Sequence, residues 1–314
     1  MHGIRTARAF APGHVTGIFA PASIGPDPRA RGSRGAGVVL ELGVVARAAW
    51  RPGATRRLRI LGGGSEEFPI STDVARRLVG TRHGSLTVRL HHDLPIGQGF
   101  GMSAAGATAT ALAVSAVLGG PRAKAIEIAH LGDLFGGGGL GGVAAILGGG
   151  LEFRRAPGVP PFGDSLRMPW SPPVIVGVVG GPMPSPPRLR DPRFLHRAGA
   201  SALELDSLLE HPDPVRFFEA SERFTDRMGV ASVRLRRILH DLRGHGAWAF
   251  QAMFGESFLA APQSLAARER VIRSVRARGI RAVEVHVSAR GARRLTTPPP
   301  SRASHRESMR ERSG

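Results

Sequence analysis

The clearest alternation of apolar and polar positions lies at Ser85–Leu90, where Leu86, Val88 and Leu90 are separated by Thr87 and Arg89. A period of two predicts a half-buried strand. Arg281–Ser288, with Val283, Val285 and Val287, repeats the pattern and predicts a closing strand. Val174–Val179 is a short β-branched run and predicts a strand buried on both faces, and a further strand is expected at Leu151–Arg155. Nearer the start, Arg5–Ala11 predicts a strand running into a turn at Pro12-Gly13-His14. A loop over Gly25–Gly37 and an apolar stretch over Val38–Ala49, bent at Gly43, follow it.

Helical expectations fall at Ser103–Leu118, stopped by Gly119-Gly120-Pro121, and at Arg122–Leu134, with a helical turn at Val143–Leu147. Later helices are expected at Arg193–Leu209, Pro214–Met228, Ser232–Leu242 and Gln263–Arg278. Prolines punctuate Ala156–Pro173, which predicts the route between two units. The expected division is a first unit over 1–168, a second over 169–294 and a disordered basic tail over 295–314. Strands mixed with helices, without regular β–α repetition, predict an α+β fold.

Composition narrows the chemistry. With 42% hydrophobic residues the chain can bury a core, and no apolar run reaches the ~18 residues needed to span a bilayer. The opening residues lack the layout of a secretory signal. A soluble cytoplasmic protein is expected. The absence of cysteine excludes disulfides, iron–sulfur clusters and thiol catalysis. The net charge of +19 invites a polyanion partner, yet Lys124 is the only lysine, the arginines are mostly scattered, and aromatics are only 5%. Nucleic-acid binding is not expected as the main function.

The most informative stretch is Leu94–Gly106, in which Gly97, Gly99 and Gly101 precede Ser103 at the start of an Ala-rich helix. Glycines let backbone N–H groups converge on an anion, and the helix N-terminus adds positive potential. The same residues also read as a structural turn with Ser103 as an N-cap. No Gly-Lys-Ser/Thr occurs, so the loop is not a P-loop, and Gly119–Arg122 offers no acid where a dinucleotide fold needs one. His91-His92-Asp93 makes a poor metal site, because adjacent strand residues point to opposite faces.

Pro95–Ala105 resembles the phosphate-binding motif of GHMP kinases, a proline and a glycine-rich loop ending in Ser-(Ser/Ala)-Ala. Ala9–Gly17, Gly32–Gly37, Ala129-His130, Gly139–Gly141, Gly148–Gly158 and Ala252–Ser257 are similar, in the same order, to segments of archaeal pantoate kinases. The resemblance implies a first domain like domain 2 of ribosomal protein S5, a second α+β domain, and ATP between them. It implies transfer of a phosphoryl group from ATP to pantoate on the archaeal route to coenzyme A. Pro95, Gly97, Gly99, Gly101, Ser103 and Ala104 would hold the nucleotide, and Ser103 and Asp133 would serve Mg²⁺ and catalysis. Ser33, His130 and Arg154 would hold pantoate. Taken alone, Ser33 reads as a solvated turn residue, His130 as a core histidine and Arg154 as surface charge. The family's Thr-Gly-Leu-Gly-Asp-Val becomes Gly139-Leu140-Gly141-Gly142-Val143 here, so Gly142 stands where a catalytic aspartate is expected. Asp133 stands where the family has glutamate. Three classes remain open: a small-molecule kinase, a nucleotide-binding protein without chemistry, and a basic polyanion binder. A homodimer is compatible with the first two.

Overall fold

The computed structural model describes residues 3–63, 67–183, 185–189 and 191–296. In chain order the first part of the described chain forms β1 (Arg5–Ser23), β2 (Arg31–Pro52), β3 (Arg56–Leu61), α1 (Pro69–Val79), β4 (Gly84–His92), α2 (Met102–Leu118), α3 (Arg122–Phe135), α4 (Gly142–Ala145), β5 (Leu151–Ala156) and β6 (Asp164–Met168). There follow β7 (Val174–Pro182), α5 (Ser185–Leu189), α6 (Pro192–Gly199), α7 (Ala202–Glu210), α8 (Pro214–Met228), α9 (Val233–Gly244), β8 (Ala247–Gln251), β9 (Gly255–Pro262), α10 (Leu265–Ala277), β10 (Arg281–Val285) and β11 (Arg293–Leu295).

The strands make two sheets, and the α+β expectation holds. One runs β11-β1-β2-β4-β3, with β5 and β6 joined to the other half of β2; the second runs β10-β7-β9-β8. The long hairpin β1–β2 organises the first sheet. Residues 44–52 of β2 pair with β4, whereas residues 35–38 pair with β5. One strand therefore carries two sheet neighbours in succession.

This corrects two sequence expectations. Pro12-Gly13-His14 is not a turn but lies inside β1, where the register to β2 shifts between Pro12 and His14. Proline offers no ladder N–H, and an irregularity tolerates that loss. Likewise Gly32–Gly37 is strand rather than loop, and its glycines are close-packing positions. A Cβ on Gly37 would overlap the His14 ring.

Helix α2 is buried on nearly every face, as an Ala/Thr/Val helix without a polar stripe must be. It packs on β1 and β2, with α1 and α3 beside it. On the second half of β1 sits α8, whose Phe217 and Ser221 fill the space above Gly17. A separate apolar cluster joins α9 and α10 to the second sheet through Leu235, Leu239, Val271 and Phe258. Among the described residues no helix is long and apolar enough to cross a membrane.

Other differences follow from tertiary pairing. The proline-rich route over 156–173 contains β6, held as a strand by β5. The helix expected over Arg193–Leu209 breaks at Ala200-Ser201 into α6 and α7. Elements β3, α1, β8 and β9 carried no expectation. The end of the chain returns to the first sheet: Ser288 N–H donates to the Val39 carbonyl (2.8 Å), and β11 pairs with β1. Leu295, expected to open the tail, is thus a strand residue, and 297–314 lie outside the described residues.

Candidate functional site

The site begins at the loop that joins β4 to α2. Gly97, Gly99 and Gly101 have φ of 75°, 72° and 70°, a left-handed conformation that side chains rarely adopt. Gly101 is the N-cap of α2, without a capping side chain. Ser103 is therefore not the cap. Its hydroxyl donates to Asp133 Oδ1 on α3, 3.0 Å away. Burial pushes the Asp133 carboxyl up to about 7, against the Ser103 hydrogen bond that lowers it.

The loop is stitched to the second sheet. Gln98 Nε2 donates to the Gly180 carbonyl (2.9 Å), Ser257 Oγ donates to the Gln98 carbonyl (2.5 Å), and Met183 N–H donates to the Gly97 carbonyl (2.8 Å). A Cβ on Gly99 would stand 2.6 Å from the Met253 carbonyl oxygen. These contacts fix the loop where the two sheets meet.

There a cavity of about 340 Å³ opens. Gly97, Gly99, Gly101, Ser103, Ala104 and Asp133 line it, and so do Ser33 and Arg154. Pro95 and His130 do not. The ring of His130, buried on α3, faces the backbone of Pro28 and Arg31, while Nε2 meets no partner at hydrogen-bond distance. Burial lowers its pKa, against those backbone groups.

Arg154 is no surface charge; it is 2% exposed. On β5 the two-residue period sets Glu152 and Arg154 on one face, with Leu151 and Phe153 on the other. Arg154 Nε donates to the Ser33 carbonyl (2.6 Å), Nη2 to Ser33 Oγ (3.1 Å) and Nη1 to Glu152 Oε1 (2.7 Å). Glu152 Oε2 faces His14 Nε2 at 3.5 Å. Burial works to raise the Glu152 carboxyl, but Arg154 above all, then His14 and Arg167, hold it down at about 2. Burial lowers His14, partly offset by Glu152. Ser33, in turn, is a buried strand residue and not a solvated one.

Sequence reasoning missed Glu152 and His14. The signal was present in Glu152-Phe153-Arg154, two opposite charges two apart on one face of a strand. His14 was hidden by being assigned to a turn.

Gly142 also lines the cavity. A Cβ there would come within 2.6 Å of the Ala104 Cβ and 3.6 Å of Asp133 Oδ2. His91 and Asp93 face each other, with His91 Nε2 3.4 Å from Asp93 Oδ1, and Asp93 Oδ2 accepts from Gly43 N–H (2.8 Å), whereas His92 turns away and stacks on Phe68. Among the described residues no group of three or more His, Cys, Asp or Glu could hold a metal ion.

The family model for the GHMP kinases N terminal domain matches residues 70–150. A pantoate kinase of Thermococcus kodakarensis is 33% identical over 247 residues, covering 75% of this chain and 80% of that protein. Another, from Methanospirillum hungatei, is 36% identical over 167 residues, covering 51% of this chain and 56% of its own. Among solved structures, a phosphotransferase related to the CoA biosynthesis pathway superposes with a TM-score of 0.82 at 28% identity, over 93% of this chain and 99% of its own. Sequence likeness of that extent, carried on the same fold, shows that the chain belongs to the GHMP kinase family and, within it, stands with the pantoate kinases.

Proposed function

We propose that this protein is an ATP-dependent kinase that converts pantoate to 4-phosphopantoate, a step toward coenzyme A. One observation carries the reading. A single cavity joins an anion-receiving glycine loop to a buried guanidinium whose other hydrogen bonds are already made. The loop suits the phosphates of ATP, with Gly97, Gly99, Gly101, Ser103 and Ala104 around them. Arg154 suits a carboxylate, which a guanidinium grips by paired hydrogen bonds. Phosphoryl transfer asks mainly for such positioning and for charge neutralisation. Ser33 orients Arg154 and closes the same end of the cavity. His130 enters the reading as a support for the Pro28–Arg31 backbone rather than as a direct ligand.

Magnesium accompanies ATP in this reading. Asp133 beside Ser103 is an oxygen donor pair of the hard kind Mg²⁺ takes, and this ion commonly uses one or two carboxylates with phosphate and water for the rest. The ion would neutralise charge on the transferring phosphoryl group. Cytoplasmic location follows from the reading, since ATP is spent there.

A second reading, nucleotide binding with little or no transfer, is favoured by Gly142. Among the described residues lining the cavity, Asp133 and Glu67 are the only acids, and a side chain at 142 has no room against Ala104. The deciding experiment is coupled ADP release with ATP, Mg²⁺ and pantoate. Pantoate-dependent release supports the kinase. ATP binding without release transfers the bet to the second reading.

A further inference from the structure

Two aromatic rings form part of the cavity wall. Phe254, in the turn between β8 and β9, has φ of 68° and is the one non-glycine with positive φ among the described residues. A bulky side chain is disfavoured in that conformation, and such outliers persist where the surroundings hold them for a purpose. Its ring lies 6.1 Å from that of Phe19 and 5.5 Å from that of Phe194, centroid to centroid. Phe19 and Phe254 both line the cavity.

Their position is defined from two sides. The carbonyls of Ala252 and Met253, just before Phe254, abut Gly99 of the glycine loop. The point where a Cβ on Gly35 would stand is 3.1 Å from both Arg154 Nη2 and Phe19 Cβ, so Phe19 flanks the guanidinium. The two rings thus border the space between the phosphoryl donor and the carboxylate grip. An acceptor hydroxyl must reach the loop while its carboxylate sits at Arg154, and the carbons between them meet apolar surface.

We propose that Phe254, backed by Phe19, is the specificity-determining wall of this site, selecting a short hydroxy acid with a branched, fully substituted carbon between carboxylate and acceptor hydroxyl. The inference rests on the kinase reading above and adds to it the residues that choose the acid.

The test compares pantoate with 2,4-dihydroxybutanoate, the same acid without its two methyl groups, in the full chain with ATP and Mg²⁺. One methylene in an apolar pocket is worth ~10–200-fold in discrimination. The parent is therefore expected to favour pantoate in kcat/KM by at least ~10-fold. Phe254→Ala should lower kcat/KM for pantoate about as much while leaving the unbranched acid within about threefold, so that the preference collapses. Phe254→Leu, which keeps an apolar side chain, should retain most of it. Phe254→Gly relieves the backbone conformation but, like Phe254→Ala, gives up the ring contacts to Phe19 and Phe194. The melting temperature of both variants is therefore compared with that of Phe254→Leu, whose retained apolar side chain keeps the inference testable. Equal use of both acids by the parent, or an equal loss on both in Phe254→Ala, overturns the inference. Calorimetric binding of each acid beside a non-hydrolysable ATP analogue separates the two readings. Phe254-dependent preference in binding without turnover sustains the wall and sinks the kinase; binding of neither acid sinks both.

Discussion

At the scale of single residues the acid end of the site depends on a buried charge pair. Arg154 and Glu152 are 2% and 0% exposed, so each is the other's compensation. Removing one partner of a buried pair commonly costs ~3–5 kcal/mol, because the other is left charged and alone. Arg154→Ala is expected to lower thermal stability by that order and to raise the KM for the acid more than that for ATP. Arg154→Lys keeps the charge but loses the fork to Ser33, and should restore stability better than it restores KM. Melting curves and the two KM values check both. The pair also shapes acid stability. Glu152, held at about 2 against an ordinary 4.5, contributes stability that is present above pH 4.5 and lost as pH falls toward 2. His14, lowered from 6.5 by burial, is neutral in the fold, and the unfolded chain takes up its proton below 6.5. The melting temperature should therefore fall in a lower stage below pH 4.5. Between about 7 and 4.5 the His14 effect is opposed by Asp133, whose carboxyl, raised to about 7 by burial, takes up its proton in the fold before it does in the unfolded chain. Glu152→Gln should remove the lower stage; an unchanged profile in that variant would contradict the assignment.

At the scale of elements, the turn from β4 into α2 carries the nucleotide end. Its glycines answer to two demands, left-handed backbone and contact with the second sheet. A Cβ at Gly99 would overlap the backbone at Ala252-Met253, so Gly99→Val is expected to disturb the junction as well as ATP binding. Ser103→Ala is the gentler probe. It removes only the hydroxyl bonded to Asp133, and should lower turnover with the melting temperature nearly kept. Comparing the two by ATP titration and melting separates phosphate contact from support of the loop. The neighbouring turn into α4 decides the Gly142 question. Overpacking a tight core position costs about 1–3 kcal/mol. Gly142→Asp alone is therefore expected to destabilise the fold, since its Cβ would meet the Ala104 Cβ at 2.6 Å. Ala104→Gly in the same chain makes the room, and turnover of that double variant at saturating ATP tests whether a second carboxylate beside Asp133 speeds transfer. No gain in a stable double variant would show that this site does not lack an acid.

At the scale of the whole molecule, two sheets meet along the glycine loop, and the site exists only at that seam. Ser257 on β9 and Gln98 in the loop tie the sheets together, and a net hydrogen bond is worth about 1 kcal/mol. Ser257→Ala should lower stability by that order and raise the KM for ATP, measured by melting and initial rates. The sequence by itself determined the elements whose pattern is local: β4 and β7, helices α2, α3 and α8, and the glycine turn that opens α2. Ordered likeness to a family supplied Ser33, Ser103, Asp133 and Arg154. Tertiary structure decided the rest. Glycines at 32–37 look like loop in sequence because nothing local says that a histidine ring and a guanidinium will lie over them. The alternation in β8 and β9 is hidden because both faces of those strands are covered, and β6 is a strand only because β5 pairs with it. Glu152, His14 and Phe254 lay within segments that match the family yet received no role for the same reason: a charge, a ring or a left-handed backbone acquires its role from a neighbour far along the chain, and the fold alone brings that neighbour into contact.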